Sequence, residues 1–116
     1  MIKVIKTIKK RSEFLSIAKQ NISYYSKTTL ILARKNLEIE NNITRVGYTV
    51  TKKIGNAVIR NKCKRKYRHI FRELPQNLTL NNCDYIVIAR REILNSDFQK
   101  IKSDIEFCLK GILKKS

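Results

Sequence analysis

The sequence predicts a single α+β domain, an α/β sandwich whose elements run helix, strands, helix, strand, helix. Three observations predict it. The chain has 116 residues, enough for one hydrophobic core and too few for a second domain of ordinary size. Its apolar pattern switches between short β-branched runs and longer stripes with helical spacing. Residues 45–90 read strand, helix, strand, and a helical crossover of that kind joins parallel strands. With 3 Gly and 1 Pro, punctuation is sparse. No repeat, low-complexity linker or change of composition marks a boundary, so residues 1–116 read as one domain.

The elements follow in order. Residues 1–6 mix apolar and basic side chains, and residues 1–10 are expected to form a basic N-terminal arm. Ser12 is placed to cap a short helix carrying Phe14, Ile17 and Ala18 on one face. Residues 28–34 are β-branched and apolar, hence a strand, and residues 23–25 extend it or form a short strand of their own. Residues 36–42 end in an Asn-Asn turn signal. Residues 45–51 are the next strand, and Gly47 within it implies a bulge or a close approach to the backbone. A helix then runs to Leu74, ended by Pro75, with Ile59, Cys63, Tyr67, Ile70, Phe71 and Leu74 on its buried face. Residues 77–82 are a polar loop. Residues 84–90 form a strand with a continuous apolar centre, which places it inside the sheet. Ser96 opens a capping box with Gln99, and the last helix carries Phe98, Ile101, Ile105, Cys108, Leu109 and Ile112 on one stripe.

Charge narrows the function classes. Lys and Arg number 26 against 9 Asp and Glu, a formal charge of +17. Such a surface repels itself unless a polyanion is its normal surroundings. Nucleic acid comes first, because cations that displace counterions from phosphates gain affinity; an anionic membrane surface and an acidic protein come next. The longest unbroken apolar run, residues 85–89, is far below the roughly 20 residues of a membrane helix, and no apolar secretory segment opens the chain. A cytoplasmic location is therefore expected. Cys63, Cys83 and Cys108 are widely spaced, with His69 the only imidazole, which argues against a zinc site or a disulfide scaffold and for small core residues. The carboxylates form no DxD or ExxE pair suited to two metal ions, and no acidic residue is apparent beside His69 to make it a base.

The middle helix carries the distinctive constellation: Arg60, Lys62, Lys64, Arg65, Lys66, Arg68 and Arg72. At about 100° per residue, Arg65, Arg68 and Arg72 fall opposite the apolar stripe. Glu73 is the only acidic residue between Gly55 and Pro75, whereas a solvated helix face ordinarily mixes signs. Unmixed, the face calls for an external polyanion. Just upstream, Lys52, Lys53 and Gly55 lie in a turn leading to the helix N-terminus, a place that suits phosphate.

These residues resemble a known family. Arg45-Val46-Gly47, then Lys52-Lys53, Gly55-Asn56 and Arg60-Asn61-Lys62 before further basic residues, resemble the signature of the bacterial ribonuclease P protein subunit. The family shows Arg-(Val/Ile)-Gly, a Lys pair and Arg-Asn-Arg in that order. The likeness extends to Phe14, to the strand at residues 84–91 and to overall length. Two positions depart from the pattern. Lys62 stands where the family has a second arginine, keeping the charge but losing the planar fork. Ala18 stands where many relatives carry an aromatic ring, so that position offers no ring for stacking.

The resemblance implies a subunit of an endoribonuclease whose RNA does the chemistry. The RNA with bound Mg²⁺ would hydrolyse the 5′ leader from precursor tRNA, and the protein alone would be inactive and hold no cofactor. Its partners would be the ribonuclease P RNA and precursor tRNA, with no membrane, and the free protein would be a monomer. Arg60, Asn61, Lys62, Lys64, Arg65, Arg68 and Arg72 would grip the catalytic RNA. A cleft of Phe14, Leu30, Leu32, Lys52 and Lys53 would hold the single-stranded leader, with Phe14 as its stacking platform; by residue pattern alone Phe14 reads first as a core residue, and the resemblance reverses that. The resemblance also implies a left-handed crossover between the strands at 45–51 and 84–90, against the usual right-handed rule. A ribosomal or other structured-RNA binder shares the charge and the strand–helix–strand form, and is the alternative.

Overall fold

The computed structural model describes residues 4–19, 21–36, 38 and 43–115, apart from the side chains of Val4 and Gln76. Its strands are β1 (Val4–Thr7), β2 (Ile22–Tyr25), β3 (Thr29–Lys35), β4 (Ile43–Thr49) and β5 (Cys83–Ala89). Its helices are α1 (Arg11–Lys19), α2 (Ala57–Glu73) and α3 (Phe98–Lys115), with 3₁₀ turns at Gln76–Leu78 and Arg91–Asn95. The strands form one sheet in the order β1-β4-β5-β3-β2. β1, β4 and β5 run parallel, and β3 and β2 complete the sheet antiparallel. The radius of gyration, 13.3 Å, is that of one compact domain of this length.

The α+β sandwich expected from the sequence is present, with one element added at the front. The segment expected as a basic arm contains β1, hydrogen-bonded along β4 at the sheet edge. Ile5, Lys6 and Thr7 are all exposed, as a short strand at the edge of a sheet permits, and Lys6 puts a charge there. Ile8, just beyond it, is buried and donates its N–H to Val46 O.

The sheet is covered on both faces. α1 packs on β3 and β5 through a small cluster of Ile8, Ile17 and Ile86 edged by Phe14, Leu32 and Ile88. α2 and α3 cover the opposite face, where Tyr67, Ile70, Phe71, Ile101, Ile105 and Leu109 meet Ile31, Val46, Tyr85 and Val87. Two helix starts differ from expectation. Ser12 lies inside α1 rather than capping it, and Ala18 is exposed. At α3 the cap is Asp97, whose Oδ1 accepts the Lys100 N–H at 2.8 Å, while Ser96 donates to Glu92 O. Adjacent Ser and Asp are both good caps, and the 3₁₀ turn ending at Asn95 takes the serine. Asn56 caps α2 by accepting from the Ile59 N–H, and Leu74 turns extended ahead of Pro75. Ile59 is 36% exposed rather than buried with the stripe that begins at Cys63. Of the turn expected at 36–42, residues 37 and 39–42 lie outside the described residues.

A buried polar chain ties the layers together. Asp104 of α3 accepts both the Thr28 N–H and its hydroxyl, Thr28 touches Thr29 at 3.2 Å, and Thr29 lies 3.0 Å from the Tyr67 hydroxyl of α2. Burial pushes the Asp104 carboxyl up, but hydrogen bonds from Thr28 and Lys100 outweigh it and hold it below its ordinary value. The three cysteines are buried and in no disulfide, and burial raises the Cys63 and Cys108 thiols. No helix among the described residues is long and apolar enough to cross a membrane.

Candidate nucleic-acid interface

α2 presents its cations as the sequence pattern requires. Asn61, Lys62, Arg65, Arg68 and Arg72 are exposed, and Arg60 and Lys64 half-buried. Among the described residues no carboxylate pairs with any of these cations. Glu73, the helix's one acidic residue, is engaged elsewhere, 3.0 Å from His69 Nε2 and 3.7 Å from Lys102 Nζ. His69 thus has a carboxylate partner one turn on, contrary to the sequence expectation; the i, i+4 spacing was the available signal. Arg68 lies over the Tyr48 ring at 5.9 Å from its centre, and burial pushes that phenol up to about 12.

The other candidate surface lies on the α1 side of the sheet. Strand register fixes its rows. Leu32, Ile86 and Gly47 are neighbours across β3, β5 and β4, and Leu30, Ile88 and Thr49 form the next row. The Phe14 ring lies directly on Gly47, where an added Cβ would stand 2.6 Å from Phe14 Cζ. Only glycine lets the ring approach the sheet, which resolves the choice between bulge and close approach. Phe14 is half-buried: it packs against the Ile8–Ile17–Ile86 cluster while keeping part of its surface open. Leu30 and Leu32 are half-buried on the same floor. Lys52 and Lys53 are exposed in the turn after β4, at the end of the sheet where the Leu30 row lies. The structure therefore brings Phe14, Leu30 and Leu32 onto one face, leaves the two lysines exposed in the turn at the end of the sheet, and puts the α2 cations on the opposite face.

At the other end of this floor is a cluster that sequence reading missed. Asp84 is fully buried and takes a two-pronged bond from Arg45, Nε to Oδ1 at 2.8 Å and Nη2 to Oδ2 at 2.9 Å. Asn36 donates to Oδ2 at 3.0 Å, and Arg34 stands 3.7 Å away. Arg45 also pairs with Glu13, and Arg34 donates to Ser16, so the cluster clamps α1 onto the sheet. The hydrogen bond to Asp84 raises Arg45 most and Glu13 adds to it, with burial opposing both. The two outer residues of Arg45-Val46-Gly47 therefore do structural work: one neutralises Asp84, the other seats Phe14.

The model of the ribonuclease P family matches residues 2–113. The chain belongs to the ribonuclease P protein family. It is 36% identical over 103 residues to the ribonuclease P protein component of Listeria welshimeri, covering 89% of this chain and 84% of that one. Over 74 residues it is 43% identical to the component from Streptococcus agalactiae, covering 64% and 66% of the two chains. The solved ribonuclease P protein of Staphylococcus aureus superposes with a TM-score of 0.78 at 35% identity, over 90% of this chain and 92% of that one. That of Thermotoga maritima gives 0.73 at 31% identity, over 86% and 91%. Family and fold agree, and the family's role is processing of the tRNA 5′ end as an RNA-binding component of a ribonuclease holoenzyme. Membership also makes ribonuclease P RNA its partner, and a ribosomal or unrelated structured-RNA binder is not favoured.

Proposed function

We propose that this ribonuclease P protein uses its two faces for two RNAs. The α2 cations grip the catalytic RNA through phosphates, with Arg60, Asn61, Lys62, Lys64, Arg65, Arg68 and Arg72 as the contact residues. The floor between α1 and the sheet, with Phe14, Leu30, Leu32, Lys52 and Lys53, holds the single-stranded leader of precursor tRNA. The observation that carries this reading is the separation itself: cations without carboxylate partners among the described residues on one side, and on the other a half-open aromatic on an apolar floor, with two exposed lysines in the turn at the end of the sheet. Stacking beside a cationic groove is how single strands are held with little sequence preference.

The protein positions RNA, and the RNA subunit with its Mg²⁺ breaks the bond. The two buried carboxylates among the described residues support this division, since Asp84 is spent on Arg45 and Asp104 on Thr28 and Lys100. The free protein is a cytoplasmic monomer in this reading. An RNA-free preparation with Mg²⁺ is expected to leave precursor tRNA uncut, and turnover by it would overturn that part.

The leader cleft is tested through Phe14→Ala in the assembled holoenzyme. Binding of precursor is expected to weaken by roughly 1–3 kcal/mol, the value of one stacked base, with mature tRNA nearly indifferent. A thermal melt is the control, because a fully buried Phe→Ala costs about 3–5 kcal/mol of stability. A steep loss of stability with equal losses for both RNAs would make Phe14 purely a core residue.

A further inference from the structure

Tyr25 is 67% exposed, although it stands in a strand of the sheet. Its neighbour Tyr24 shows which way it points. Tyr24 packs on α3, where an added Cβ on Gly111 would lie 2.3 Å from its ring, and meets Phe107 edge-on at 5.9 Å. Successive side chains in a strand point to opposite faces, so Tyr25 stands on the α1 side. It pairs in register with Leu30, which pairs with Ile88, which pairs with Thr49. Tyr25 therefore ends the row that α1 leaves open, on the same floor as Phe14.

The ring has a fixed companion. The Arg90 guanidinium lies 5.1 Å from its centre. Arg90 is held in place by donating from Nη1 to Ser26 O at 2.7 Å and from its backbone N–H to Thr28 O at 2.9 Å. The turn that follows Tyr25 thus anchors the cation that covers it. An open cleft of about 600 Å³ lies here, lined by Tyr25, Ser26, Lys27, Arg90 and Glu92, with two cations against one carboxylate. An acidic protein would need the charges but not the ring. A nucleotide uses both, with its base on the ring or guanidinium plane and its phosphate on Lys27 or Arg90.

We propose that Tyr25, backed by Arg90, is a second base-stacking platform for the single-stranded leader. The proposal rests on the cleft reading above and extends it. Phe14 sits over Gly47 of β4, and Tyr25 belongs to β2, three strands across and one row along. Sheet spacings make that about 16 Å, too far for one base to touch both rings. The two platforms take different bases of one strand, and Tyr25 needs a longer leader than Phe14.

The test measures affinity of the assembled holoenzyme for mature tRNA and for precursors with leaders of increasing length. Tyr25→Ala is expected to weaken binding about 5- to 150-fold for long leaders, and to leave the shortest leader and mature tRNA unchanged. Tyr25→Phe keeps the ring and is expected to restore binding. If Phe14→Ala is leader-dependent and Tyr25→Ala is silent at every length, this proposal fails and the cleft reading stands. If neither variant depends on the leader, the cleft reading fails and takes this one with it. Equal loss with mature tRNA, weaker binding of the RNA subunit, or no rescue by phenylalanine would each overturn the platform.

Discussion

Asp84→Ala is expected to remove about 3–5 kcal/mol of stability, the cost of leaving a buried charge without its partner. The carboxylate is fully buried and neutralises Arg45 through two short bonds, with Arg34 and Asn36 beside it. Without it two guanidiniums face each other across the start of β5, and Glu13 is left as the carboxylate partner of Arg45. For a domain of this length the loss corresponds to a fall in Tm of about 10–20 °C. Adding Arg45→Met to Asp84→Ala is expected to recover much of it, because an apolar replacement of a buried pair is often neutral. Thermal or urea melts of the single and double variants check this. A single variant that melts within 2–3 °C of the parent, under roughly 1 kcal/mol, would show that Asp84 is not the anchor. Because the cluster clamps α1, the same variant is expected to loosen the Phe14 side of the cleft.

Replacing Arg65 and Arg68 together by Ala is expected to act on binding and barely on folding. Both are exposed and neither has a carboxylate partner among the described residues. Surface changes of this kind usually shift stability by about 0.5 kcal/mol or less, with a further fraction here for the Arg68–Tyr48 contact. Each lost phosphate contact is expected to lower the slope of log K against log salt by about 0.7–0.9 and to cost about 1.5–3 kcal/mol at low salt. Titration of the ribonuclease P RNA over a salt series reads both quantities. An unchanged slope would move the RNA contact away from this face of α2.

Some of the molecule was readable because its physics is local. The α2 stripe of Cys63, Tyr67, Ile70 and Phe71 has the helical period, and burial follows that period. The opposite charged face follows from the same geometry. The apolar centre of β5 marked an interior strand, and β5 lies between β4 and β3. Where several local readings compete, pattern alone fell short. Ser96 and Asp97 are both good caps, and only the preceding 3₁₀ turn selects between them. The mix of apolar and basic residues at the front reads as an arm until β4 is there to pair with it.

The sequence by itself determined the class of domain, the unmixed cations of α2 and the family signature, because periodicity, charge and spacing are properties of neighbours along the chain. Only the tertiary structure decided what those residues touch. Arg45 and Asp84 are 39 positions apart, and nothing in either segment announces the other. Thr28 and Asp104 are 76 apart and meet because α3 folds across the start of β3. Gly47 is glycine because the Phe14 ring lies on it, and the direction of Tyr25 follows from Tyr24 being taken by α3. Such pairings depend on strand order and on which face each helix covers. A buried charge, ring or hydroxyl takes its partner from whatever the fold brings within about 3–4 Å, and that is set by the packing of the whole sheet.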